Sequence, residues 1–335
     1  MGLTTIIFAV IIFCLLILVH ELGHFAVAKS VGVRVNEFSL GMGPLLFQFT
    51  RGDTEYSLRA LPIGGFCRME GEDEDSADPR AFNNRPIWAR ALVVVAGSFM
   101  NLVTAILIIT CIAMAIGVAT NGVAAVEGGS PAAEAGVLPG DKILSVDGEK
   151  VSSFSDVISA VGGSEGATVS LEILRSGQKM TIESGVTVND SGRRVIGVTS
   201  EIRKSPGVAL TTGVSSTFAM GGQMLDYLGQ LFTGRGSMDD LVGPVGIVSM
   251  IGDQAKLGLI NLANLTALLS LNLAIVNMLP FPALDGGRLL FLIIRLFTGK
   301  AVSDETEGKI HFAGMMILFA FMAYILVKDV DRFIF

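Results

Sequence analysis

His20, Glu21 and His24 fall in the run ILVHELGHFAVAK, residues 17–29, inside a stretch apolar enough to begin a membrane span. Positions i and i+4 of a helix share a face, so both imidazoles can be offered to one metal ion while Glu21 stands on the adjacent flank beside a water. That is the spacing of the zinc proteases. The chain holds only 3 histidines in 335 residues, so two of them flanking a glutamate at this spacing is a rare coincidence. The plainer alternative is a pair of hydrogen-bonded histidines at a helix end. Ionisable groups inside a span are costly and by default mark a functional site, which favours the metal.

A catalytic zinc needs a third protein ligand and an open position for water. The run NMLPFPALDGG, residues 277–287, offers Asp285 at the end of another apolar segment, where Pro280 and Pro282 break the helix and free the backbone to line a cavity. An acid in such a place also reads as an ordinary loop residue. At ~1.5 Å per residue His20 lies ~24 Å into its span, toward the same end as Asp285. In that arrangement zinc brings the pKa of a water toward about 7 and polarises a peptide carbonyl. Glu21 then takes the proton and returns it to the leaving amine, and the reaction is peptide hydrolysis within the bilayer. Gly286 and Gly287 are expected to let the backbone turn after the ligand. His311 reads as an interfacial histidine rather than a fourth ligand, which would close the site. Asn101, in GSFMNLVTA, either bridges helices or bonds a substrate strand.

The elements that must position these residues follow from composition. The chain is 51% hydrophobic and 16% charged, with a mean hydropathy of +0.62, as in a membrane protein with one modest polar region. A net charge of −7 without a basic stripe argues against a nucleic-acid partner. Cys14 and Cys111 fall in apolar runs and Cys67 in a charged loop, so they form neither a disulfide framework nor a thiolate metal site and are expected to pack. Apolar runs at roughly 91–119, 262–284 and 311–327 join the first, each near the length that a hydrocarbon core of about 30 Å demands. The expected fold is a polytopic α-helical membrane protein with four transmembrane helices. Residues 1–13 hold no Lys or Arg, so the first segment is expected to be retained rather than cleaved as a signal peptide.

Lys29, Arg34, Arg51, Arg59, Arg68, Arg80, Arg85 and Arg90 follow the first span, and Arg288, Arg295, Lys300 and Lys309 follow the third. Both loops are therefore expected in the cytoplasm, with both termini and the long 120–258 segment outside and the active site near the cytoplasmic side. NEFSLGMGPLLFQF and TEYSLRALPIGGFCRM read as a membrane-associated β-ribbon on that side. A strand edge in EYSLRALPIGGF could hold an unwound substrate by strand addition. The acids between Glu70 and Asp78 read as a solvated loop.

Residues 121–200 read as a small extracytoplasmic α+β domain, with a hairpin at VSLEILRSGQKMTI and a short helix at SFSDVISAVG. Within it, SPAAEAGVLPGDKILSVDGEKV resembles the PDZ signature, Gly140-Asp141 turning into a strand and Asp147-Gly148 turning back. Any small β-domain with such a hairpin is the alternative. The expected division is 1–120 with the first two spans and the ribbon, 121–200 PDZ-like, 201–258 amphipathic or linker helix, and 259–335 with the last two spans.

With HELGH in the first span, NMLPFPALDGG in the third and the PDZ-like insert between spans two and three, the chain resembles the bacterial site-2 proteases, the RseP-type intramembrane zinc metalloproteases, over nearly its whole length. The resemblance implies a Zn2+ cofactor on His20, His24 and Asp285, Glu21 as catalytic base, and substrate binding by Asn272 and Asn277 with Pro280 and Pro282 of the same motif. GMGP, 41–44, matches the family's membrane-associated hairpin. The implied substrates are transmembrane segments of single-pass proteins in the bacterial inner membrane. These are anti-sigma factors already trimmed by a site-1 protease, or remnant signal peptides. One PDZ-like segment is present here, where the best-known enterobacterial member has two.

Two rival classes stand beside this reading. A membrane-anchored PDZ module with a vestigial metal site would have no need of Glu21. A metal transporter needs polar groups spaced across the bilayer, whereas here the ionisable ones gather toward one face.

Overall fold

The computed structural model describes residues 2–72, 76–237, 241–299 and 304–333. Along the chain, α1 (Leu3–Ser30) leads into strands β1 (Val35–Arg51) and β2 (Thr54–Met69), then α2 (Ile87–Ile116). There follow β3 (Val118–Val126), α3 (Pro131–Glu134), β4 (Lys142–Val146), β5 (Glu149–Lys150), α4 (Phe154–Gly163), β6 (Thr168–Arg175), β7 (Gln178–Gly185), β8 (Thr187–Val188), β9 (Arg194–Val195) and β10 (Val198–Arg203). Helices α5 (Pro206–Phe232), α6 (Pro244–Leu257), α7 (Leu259–Asn277), α8 (Asp285–Thr298) and α9 (Asp304–Phe333) complete it. Backbone contacts divide it into two units, Met1–Ile109 with Gly213–Phe335, and Thr110–Thr212.

Among the described residues, four helices are long and apolar enough to cross a membrane, Leu3–Ser30, Ile87–Ile116, Leu259–Asn277 and Thr306–Arg332, as the apolar runs anticipate. Side chains such as Ile, Val and Phe are poor helix formers in water, but in lipid a helix is how a single segment satisfies its own backbone. Small residues then let helices approach: a Cβ on Gly23 of α1 would lie 2.4 Å from the Ala96 carbonyl oxygen of α2, so the two backbones all but touch there. Ala9, Ile12 and Leu16 of α1 pack with Ile251 of α6 and with Leu262 and Leu265 of α7. His311 falls inside the fourth helix rather than opening it.

The ribbon is more folded than a simple hairpin. Glu37 pairs with Arg68 on one side and Glu55 on the other, while Tyr56 pairs with both Phe38 and Phe49. Each strand is therefore bent into two segments, and the sheet order is 65–69, 35–40, 55–58, 47–51. Gly41, at φ 85°, makes the bend in β1, a left-handed conformation that glycine adopts at no steric cost. The Glu37 carboxylate sits buried at the centre and accepts from Ser57 Oγ at 2.6 Å and from Arg59 and Arg68, each at 2.7 Å. It ties three of the segments together.

In the second unit the sheet runs β10-β3-β4-β6-β7, with β5 paired to β4. Val169, Leu171 and Ile173 of β6 alternate inward, the period-two pattern of a half-buried sheet, and pack with Ile143 and Val146 of β4 and with Val157 and Val161 of α4. Asp147 and Gly148 take φ 49° and 84°, as a two-residue turn of the Asp-Gly type requires. Ser153 and Asp156 form a capping box at the start of α4.

Several expectations need correction. The acid run is not simply solvated: Glu70 accepts from Asn36 and Ser76, Glu72 pairs with Arg288 and Asp78 with Arg34. Asp73, Glu74 and Asp75 lie outside the described residues. Cys67 is a buried strand residue of β2 rather than a loop residue. Residues 201–203 belong to β10 and pair with β3, so the helical connection begins at Pro206 and contains two helices, α5 and α6.

Candidate active site

The first span carries both histidines, and α8, which follows the third span, brings the acid to them. His20 and His24 are each only 8% exposed, and their Nε2 atoms lie 3.1 Å apart. Asp285, the first residue of α8, places Oδ2 3.2 Å from His20 Nε2 and 3.4 Å from His24 Nε2. All three ligand atoms fall within 4.8 Å of one another.

The imidazoles are held from α2. His24 Nδ1–H donates to the Val93 carbonyl at 2.8 Å, which leaves the Nε2 lone pair facing the cluster. Asn101 lies beside His20 Nδ1 at 3.3 Å, and its backbone carbonyl accepts from Ser270 Oγ of α7 at 2.8 Å. A Cβ on Gly97 would stand 2.4 Å from His24 Nε2 and 2.7 Å from His20 Cε1, so only glycine leaves room for both rings.

The loop carrying Asp285 is equally constrained. α7 ends at Asn277 ahead of Pro280 and Pro282, proline being unable to continue the hydrogen-bond ladder. Ala283 adopts φ 82°, a left-handed conformation of order 1–3 kcal/mol unfavourable for a residue with a Cβ. His311 Nδ1 accepts its N–H at 2.9 Å and pins it. Gly286 and Gly287 are helical residues, not a turn. A Cβ there would strike the Leu279 and Phe281 carbonyl oxygens at 2.2 and 2.4 Å, so their role is close approach of α8 to the preceding loop.

The donor set fits a zinc ion. The Asp285 Oδ2 atom is buried and has no hydrogen-bond donor among the described residues. It faces two imidazole nitrogens, and a cation would satisfy the carboxylate oxygen and both Nε2 lone pairs together. Two nitrogens and one carboxylate oxygen form a common catalytic zinc set.

Glu21 lines the same cavity of about 700 Å³ as these ligands, together with Phe66, Cys67, Arg68 and Met69 of β2. Asn277 reaches the site, with Nδ2 3.4 Å from His20 Nε2, whereas Asn272 and Pro280 are exposed and are not among the residues that line the cavity. Pro282 packs against α9, where a Cβ on Gly314 would come within 2.5 Å of it. His311 stands outside the ligand cluster. Its grip on Ala283, the Gly97 cradle and the contact of Asn101 with His20 are the site features that sequence reasoning missed. A polar residue in a span was the one available signal, and it pointed to Asn101 alone.

The sequence matches the description of peptidase family M50 over residues 8–321. It is 40% identical over 328 residues to the Clostridium perfringens protein CPE1693, covering 97% of this chain and 98% of that one. It is 31% identical over 421 aligned residues to the regulator of sigma-W protease RasP of Bacillus subtilis, covering 99% of each. Part of the chain is similar to the PDZ domain of an SdrC-like protein from Listeria innocua, at 26% identity and a TM-score of 0.23, over 26% of this chain and 96% of that one.

Proposed function

The chain belongs to peptidase family M50 and is an intramembrane zinc metalloprotease, and from that premise we propose that His20, His24 and Asp285 hold the zinc while Glu21 is the catalytic base. The observation that carries the assignment is the convergence of three ligand atoms within 4.8 Å beside the Glu21-lined cavity. Zinc bound there supplies Lewis acidity toward the scissile carbonyl and the attacking water. His24 keeps its Nε2 lone pair inward because its Nδ1 proton is committed to Val93. Glu21 accepts the water's proton on its carboxylate and delivers it to the leaving nitrogen. Asn277, beside His20, orients the substrate carbonyl. Asn272, Pro280 and Pro282 bind the flanking substrate or shape its path.

The substrate is the transmembrane segment of a single-pass protein, of the anti-sigma factor or remnant signal-peptide kind, with a site-1 protease acting before it. A helix shields its amides by its own hydrogen bonds, so the segment must unwind to be cut. The 65–69 segment of β2 supports a place for this: it is an edge of the four-segment sheet and lines the catalytic cavity. Strand addition would hold an extended segment there by main-chain bonds with little demand on its sequence. Leu58, earlier in the same run, is paired on both sides and offers no free edge. The basic residues from Lys29 to Arg90 support a cytoplasmic position for their loop and the site beside it, in the bacterial inner membrane, with the termini and the PDZ-like unit outside.

The test is cleavage of a reconstituted helical membrane peptide by the purified chain. Turnover should stop with a chelator and return on adding zinc. Cleavage indifferent to the chelator would overturn the reading.

A further inference from the structure

Asn101 has no solvent exposure, and its amide Nδ2 stands 3.3 Å from His20 Nδ1. A neutral imidazole carries its proton on one nitrogen and a lone pair on the other. His20 Nε2 faces His24 Nε2 and Asp285 Oδ2 at 3.1 and 3.2 Å, so a metal held there takes the Nε2 lone pair and leaves the proton on Nδ1. An amide nitrogen opposite that Nδ1–H would set donor against donor.

A carboxamide turned by half a rotation keeps its outline and exchanges donor for acceptor. Asn101 Oδ1, in the unturned form, is a buried acceptor with no hydrogen-bond partner among the described residues. The turned form presents Oδ1 to His20 Nδ1–H and swings the amide N–H groups the other way. Ser98 Oγ, also buried without a hydrogen-bond partner among the described residues, offers an acceptor one turn earlier on the same helix face.

We infer that Asn101 is a positioning residue that accepts the Nδ1 proton of His20 and so fixes the tautomer in which Nε2 can bind zinc, an inference that rests on His20 being a ligand. His24 supplies an internal control, because its Nδ1–H is held by a backbone carbonyl, Val93 O, that no side-chain change removes. The helix-bridging role of Asn101 is separable as well. Its bridge to α7 runs through its own backbone carbonyl and Ser270, so Asn101→Leu keeps that bond and nearly the same volume while removing the acceptor.

The experiment uses the full chain in nanodiscs. Zinc affinity is read by chelator competition, and the ring N–H signals are read on zinc-loaded protein labelled with ¹⁵N-histidine, tractable with 3 histidines. Asn101→Leu should weaken zinc binding about 10- to 100-fold, the usual consequence of removing a group that orients a ligand. It should move the His20 Nδ1–H signal and leave that of His24 in place, and Asn101→Asp, which keeps an acceptor, should recover most of the affinity. Zinc affinity of Asn101→Leu within about twofold of wild type, with the His20 signal unmoved, would overturn the inference. Should Asn101→Leu not fold, the wild-type chain decides: a contact from His20 Nδ1–H to the Asn101 carboxamide carbonyl supports it, and none defeats it. His20→Ala separates the two claims, because full zinc binding in that variant refutes His20 as a ligand whatever Asn101 does.

Discussion

In residues 110–212 the side chains with no exposure include Ile143, Val169, Leu171 and Ile173, whereas in the other unit Asn101 and Ser270 are just as buried, while Leu296 and Phe297 stand 61% and 83% exposed. The sheet unit is organised by removing apolar surface from water, and its alternating strands record that. The helical unit cannot be, since lipid offers an apolar side chain as good a home as the protein does. Its specificity comes instead from glycines that let backbones touch and from a few polar groups that must find partners. The cluster of His20, His24 and Asp285 shows the same device, with Gly97 against both rings and Asn101 beside His20.

The sharpest break in the comparison is expected at Glu21, where chemistry and packing separate. Glu21→Gln should keep the fold and the zinc but lower single-turnover cleavage by more than the ~10²–10⁴ typical of proton transfer, because Gln also misorients the water. Retained cleavage near the wild-type rate would end the mechanism.

Glycine should have opposite signs in the two units. Gly97→Ala drives a Cβ to 2.4 Å from His24 Nε2 and should cost at least about 100-fold in zinc affinity. Gly162 lies in α4 with open space where its Cβ would be, so Gly162→Ala should stabilise the sheet unit by about 0.5–1 kcal/mol, read by hydrogen exchange. Equal signs would erase the contrast.

Leu171→Ala should cost the sheet unit about 2–5 kcal/mol, speeding exchange of the β4 and β6 amides, and leave the zinc content at its wild-type value.

A smaller effect than the loss of Leu171 is electrostatic. Asp141 is buried, which acts to raise its carboxyl pKa, but hydrogen bonds from the Arg175 guanidinium and the Leu138 N–H outweigh burial and hold it below the ordinary aspartate range. A depressed folded value means the stabilisation is complete above the unfolded value of about 3.9 and fades as pH falls through the folded one. Asp141→Asn should therefore weaken the sheet unit by about 1–2 kcal/mol near pH 7, with the difference from wild type shrinking below about pH 4.

What could be read from the sequence follows the same division. The spans, the i, i+4 histidines, the Asp-Gly turn and the β6–β7 hairpin announce themselves because their signals are local. The contact of Asn101 with His20 joins residues 81 apart, and that of His311 with Ala283 joins residues 28 apart. Neither leaves a periodicity. Gly286 and Gly287 read as a turn because glycine frees the backbone, yet here its use is to leave no Cβ in a crowded place. The ribbon's double pairing was hidden because a bent strand has the same alternation as two straight ones.

The central claim is that two histidines of the first span and the aspartate after the third hold one zinc. Zinc K-edge X-ray absorption on the purified chain tests it most directly, since nitrogen and oxygen ligands scatter at about 2.0–2.2 Å and sulfur at about 2.3 Å. The account predicts two imidazoles and only nitrogen or oxygen neighbours, with zinc lost in Asp285→Ala. A sulfur shell, or an unchanged spectrum and full zinc occupancy in Asp285→Ala, would contradict it.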